Sequence, residues 1–176
     1  MKKSVTLGAV IVIAIIIFFI AKNQFSAIYV ANNEQFFFEE RNSTFQIDGN
    51  TINLINGKSI TDSKSGATYR YFGNSARGDL NGDKIPDIAF LVTGQTSGSG
   101  LFYYVIIAIQ ENSGYRSIGT TFLGDRIAPQ TTEIKLGRLT INYADRRPDE
   151  PFTSQPSVGK SARFIISNDK LIPLNK

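Results

Sequence analysis

Leu101–Ile109 reads LFYYVIIAI, an uncharged run in which apolar and polar residues do not alternate. Gly100 precedes it and Asn112-Ser113-Gly114 follow it. A buried helix of this length would lack such close turn formers, so the run reads as a central strand covered on both faces. Working outward, Ile88–Thr93 (IAFLVT) lies upstream and Tyr115–Leu123 downstream, each bounded by Gly, Asn, Asp or Pro. Further strands are expected at Phe45–Ile47, Thr51–Ile55, Thr68–Phe72, Glu133–Leu136, Arg138–Tyr143, Ala162–Ser167 and Lys170–Leu174. Asp48-Gly49 and Asn56-Gly57 separate short alternating runs, and both pairs tolerate the positive φ of a tight hairpin. No amphipathic helical period stands out here. The expected fold is mostly β: one antiparallel sandwich or open-barrel-like domain over residues 44–176.

Val5–Ala21 (VTLGAVIVIAIIIFFIA) carries no charge. As a helix it measures roughly 25 Å, enough to cross the hydrocarbon of a bilayer. It is apolar on all sides, unlike the striped helix of a soluble core. Lys2 and Lys3 precede it and Lys22 follows, so the positive-inside bias keeps the N-terminus in the cytoplasm. A cleaved leader would want small residues near the cut, yet Phe19 and Phe25 stand three positions before the ends at Ala21 and Ala27. The expectation is therefore a transmembrane signal anchor at residues 1–22, a connector at 23–43 and a domain beyond. That makes a single-pass protein of the cytoplasmic (inner) membrane with a periplasmic or extracellular body.

Cys and His are both absent among the 176 residues. That excludes disulfides, thiolate nucleophiles, Cys/His zinc sites and any histidine general base. The formal charge is +4, but the basic residues are scattered, and only Arg146-Arg147 are adjacent beyond the N-terminal pair. Nucleic-acid binders gather their charge into a stripe, so that class is rejected.

The segment with chemistry is Asp79-Leu80-Asn81-Gly82-Asp83-Lys84-Ile85-Pro86-Asp87. It places oxygen side chains at loop positions 1, 3, 5 and 9, and a backbone carbonyl, that of Ile85, at position 7. A hard divalent cation needs six or more oxygens, and a turn with donors on alternate residues wraps them about one point. The expected metal site is Asp79, Asn81, Asp83, Ile85 and Asp87, holding a structural Ca²⁺. Lys84 replaces the Gly usual at position 6, and Phe90 replaces the bidentate Glu at position 12. The segment is thus no helix–loop–helix site, and a weak affinity is expected.

Phe72-Gly73 followed by GDLNGDKIPDIAF (Gly78–Phe90) resembles a single FG-GAP repeat, which implies Ca²⁺ on Asp79, Asn81, Asp83 and Asp87. One copy cannot build the propeller that such repeats form. The blocks GDLNGD, SGSGLFYYV, FLGDRIAPQTTEI and NYADRRPDEPFTSQPSVG also resemble a family of small exported bacterial proteins without an assigned activity. That resemblance implies one exported domain.

Asp145-Arg146-Arg147-Pro148-Asp149-Glu150 reads either as a self-neutralising loop or as reactive chemistry, such as an Arg clamp for an anion or a carboxylate pair. Two functions follow. The first is a membrane-anchored binding module with one structural Ca²⁺, meeting a protein or glycan partner in the cell envelope. The alternative is a carboxylate-dependent hydrolase using the Asp145–Glu150 loop with Asp125. No catalytic residue is assigned.

Overall fold

The computed structural model describes residues 39–59, 66–111 and 114–174. These form eleven strands: β1 Thr44–Ile47, β2 Asn50–Ile55, β3 Lys58–Ser59, β4 Thr68–Gly78, β5 Asp87–Gln95, β6 Phe102–Glu111, β7 Gly114–Asp125, β8 Ala128–Lys135, β9 Arg138–Asp145, β10 Val158–Ser167 and β11 Lys170–Pro173. One 3-10 turn, Glu40–Asn42, precedes them, and no α-helix occurs among the described residues. Strands β1–β7 make one sheet in chain order, and β8–β11 make a second. Every pairing is antiparallel. The result is a meander throughout, which short turns between consecutive strands favour.

The turns explain the register. Asp48-Gly49 has φ of 51° and 77°, and Asn56-Gly57 has 52° and 80°. These are the values of hairpin turns whose twist matches the flanking strands. Leu136-Gly137 repeats the geometry at 52° and 70°, although Leu136 brings a Cβ that resists it.

Strands β5 and β6 are apolar on both faces because they serve two cores. Ile88, Phe90 and Val92 point to one side and meet Phe45, Ile47, Ile52, Leu54 and Ile106 inside the curl of the first sheet. Ala89 and Leu91 point to the other and meet Val105, Ile107, Leu139, Ile141 and Phe164, joining the second sheet to its outside. Ile88 through Val92 are each 0% exposed. Each large side chain enclosed this way stabilises the fold by about 1.5–3 kcal/mol. The first sheet nearly closes: Thr120 of β7 donates its Oγ1–H to the Gln46 carbonyl of β1 at 2.8 Å.

Mostly-β architecture and antiparallel pairing agree with the sequence, and the structure combines an almost closed barrel with a packed second sheet. Strand β4 runs on to Gly78 rather than ending at Phe72, because bulges around Gly73 (φ 100°) absorb the irregular Gly-Asn-Ser stretch. Strand β10 begins at Val158, earlier than expected. Residues 39–43, read as connector, are docked: Gly57 N–H donates to the Arg41 carbonyl at 2.8 Å and Asn56 N–H to Asn42 Oδ1 at 2.8 Å. The proposed anchor, Val5–Ala21, lies outside the described residues. Among those described, no helix is long and apolar enough to cross a membrane.

Candidate functional site

The Asp79–Asp87 segment joins β4 to β5, and its two ends are held from below. Gly78 abuts β8 so closely that an added Cβ would meet Ile134 at 2.6 Å, which fixes where the loop leaves the sheet. Leu80 is buried among the second core, nailing down the first turn. From there the exposed residues rise as a ladder of side-chain-to-backbone bonds. Asp79 accepts from Gly82 N–H at 2.6 Å and Lys84 N–H at 2.9 Å. Asn81 Oδ1 accepts from Asp83 N–H at 3.0 Å, and Asp83 Oδ1 from Ile85 N–H at 2.7 Å. Short Asx side chains favour this pattern because they can mimic a backbone turn. Gly82 (φ 90°) and Lys84 (φ 69°) supply the left-handed residues the ladder needs.

Asp79, Asn81 and Asp83 therefore stand together on one exposed turn. Each of their oxygens has two lone pairs and spends one on an N–H. Ile85 is partly exposed beside them. Asp87 is placed differently: it is 0% exposed, with Oδ2 accepting from Leu80 N–H at 2.8 Å and Oδ1 from Gln110 N–H at 3.1 Å. Burial pushes its carboxyl above the ordinary range, only partly offset by the Leu80 and Gln110 N–H groups. Asp87 thus fastens the loop to β6. Among the described residues no three acidic side chains converge as a group able to hold a metal ion. The oxygens of Asp79, Asn81 and Asp83 are engaged by the turn's own N–H groups.

Two neighbours of this turn carry no local signal. Asn81 and Asp83 share a hollow of about 530 Å³ with Glu111 and Asp169. These two come from the end of β6 and the β10–β11 turn, and Arg116 bridges them at 2.6 and 3.3 Å. Only the register of β6 with β7 and the docking of the second sheet bring them there.

Asp125, Asp145 and Glu150 do line one hollow, of about 360 Å³, and Asp149 is exposed on the same loop. Each lining carboxylate has a cation: Asp125 meets Arg126 at 3.4 Å, Asp145 meets Lys160 at 2.7 Å and Glu150 meets Arg147 at 3.3 Å. Burial alone would raise the Asp145 carboxyl. The Lys160 and Arg146 N–H bonds and the charges of those two side chains outweigh it and hold the group below its usual range. A general acid of the glycosidase type needs the opposite shift. The hydrolase reading keeps the shared hollow of Asp125, Asp145 and Glu150, while Asp145, held low, does not supply its acid.

No protein-family model, curated protein or solved structure matches the chain.

Proposed function

We propose that this protein is a binding module held at the outer side of the cytoplasmic membrane by Val5–Ala21, its β-domain reinforced by one Ca²⁺ at the Asp79–Asp87 loop. The domain meets a protein or glycan partner of the cell envelope. Asp79, Asn81 and Asp83 would hold the ion through side-chain oxygens and Ile85 through its carbonyl. Asp87 sets the loop that presents them. The observation that supports the reading is the stacking of three oxygen-bearing side chains on one exposed turn whose two ends are anchored in the body. Few protein ligands and no position-12 carboxylate place the affinity at about 10⁻⁴–10⁻³ M, the range of extracellular structural sites. The ion would cross-link Asp79, Asn81, Asp83 and the Ile85 carbonyl within the turn that runs between the buried Leu80 and Asp87, stiffening the β4–β5 junction.

Calorimetry of the full-length chain in neutral detergent micelles tests this. Ca²⁺ should bind saturably in that range, and Asp83→Ala should abolish the heat. Absence of binding heat in the intact protein overturns the calcium assignment.

A further inference from the structure

The hollow at the far end of β7 and β9 contains a cation with no carboxylate in direct contact with its guanidinium. Arg146 is half-buried, and its guanidinium is clamped by the backbone: Nε donates to the Ser154 carbonyl at 2.6 Å and Nη1 to the Arg126 carbonyl at 2.8 Å. It stands over the Phe152 ring at 5.9 Å, sharing that ring with Arg126 at 4.5 Å. Among the described residues Arg146 forms no ion pair, whereas every carboxylate in the same hollow has its own cation. The remaining guanidinium N–H groups carry a charge already partly stripped of water and fixed in direction. A polar group prepared this way binds an incoming partner with little ordering cost.

The apolar half of the hollow is equally unusual. Phe122 is 53% exposed and Phe152 58%, although both are large rings with room to be covered. Phe122 is braced from behind by Phe102 and Tyr104, with centroids at 6.3 and 5.6 Å. It is therefore a fixed platform. A hollow of about 360 Å³ with an apolar wall and an oriented guanidinium among paired charges falls in the size class of small-ligand sites.

We propose that this hollow binds a carboxylate-bearing ligand with a flat apolar body, the carboxylate on Arg146 and the body against Phe122. The lining balances three cations, Arg146, Arg147 and Lys160, against three carboxylates, so the ligand carries no more than one negative charge. The planar fork of the guanidinium favours carboxylate, which it can grip with two parallel N–H bonds. A neutral saccharide could use the same rings but leaves Arg146 without an anion, so it is the weaker fit. The site is independent of the calcium loop and of the anchor.

The test uses full-length chain in neutral micelles, ¹⁵N-labelled at arginine, titrated with benzoate, with its neutral isostere benzamide and with cellobiose. Benzoate should move the Arg146 Nε–H resonance saturably, and benzamide should bind at least about tenfold more weakly, as loss of a charge-assisted contact requires. Phe122→Ala alters an exposed ring and should weaken benzoate several-fold with the fold intact. Arg146→Lys keeps the charge but not the fork and should weaken it further. Equal binding of benzoate and benzamide, a preference for cellobiose, or no saturable shift with benzoate overturns the proposal.

Discussion

Replacing Asp87 by Ala should destabilise the domain by about 2–4 kcal/mol. Its carboxylate is wholly enclosed and takes two backbone N–H groups, Leu80 at 2.8 Å and Gln110 at 3.1 Å. Truncation leaves the buried Leu80 N–H and the partly buried Gln110 N–H unpaired, at about 1–3 kcal/mol for the first and less for the second. Part of that is returned, because the enclosed carboxylate is itself held against a burial penalty. Asp87→Asn keeps one acceptor and turns an NH₂ toward the other donor, so it should cost about 1–2 kcal/mol. The pH dependence gives a second signature. The folded carboxyl titrates above its unfolded value, so its favourable contribution is full below about pH 3.9 and fades as pH rises through the folded value. Asp87→Asn should lack that decline. The assay is urea unfolding with chelator present, followed by tyrosine near-ultraviolet circular dichroism, with unchanged slopes required. A cost below about 0.5 kcal/mol for Asp87→Ala would refute the view that this residue fastens the loop.

Three further outcomes are expected. Lys84→Gly, at φ 69°, should stabilise the domain by about 0.5–1 kcal/mol in the same urea assay by removing left-handed strain. Gly78→Ala should destabilise by about 1–3 kcal/mol, since the new Cβ meets Ile134 at 2.6 Å and its carbonyl at 3.0 Å, and a lower melting temperature checks it. Asp145 titrates below its unfolded value, so its contribution is present above about pH 3.9 and lost as pH falls through the folded value. Asp145→Asn should therefore flatten that part of the acid unfolding curve, by no more than about 0.5 kcal/mol because the Lys160 pair is partly exposed.

The strands were largely legible because their signals are local. Asp48-Gly49 and Asn56-Gly57 announce their turns, and the doubly apolar β5 and β6 announce burial on two sides. What covers those two sides was not legible, since the docking of Leu139, Ile141 and Phe164 onto Leu91 and Ile107 links residues far apart in the chain. The extension of β4 past Phe72 was not legible, because bulges at Gly73 are a tertiary accommodation, not a local preference. At the loop, spacing alone brought Asp79, Asn81 and Asp83 to one turn. The same spacing gave no warning that Asp87 faces inward, because its direction is set by the Gln110 N–H on a different strand. Arg146 and Phe122 line one hollow because the β9 end and β7 come together there, which no local signal in the Asp145–Glu150 run could show.

The most direct measurement is the melting temperature of the full-length chain in micelles with excess Ca²⁺ and with chelator, for the wild type and Asp83→Ala. At calcium near 100 times the dissociation constant the wild type should gain about 2.7 kcal/mol, a rise of several degrees, and Asp83→Ala should gain none. Coincident wild-type melts, or an equal rise in Asp83→Ala, would contradict a cation held by this loop.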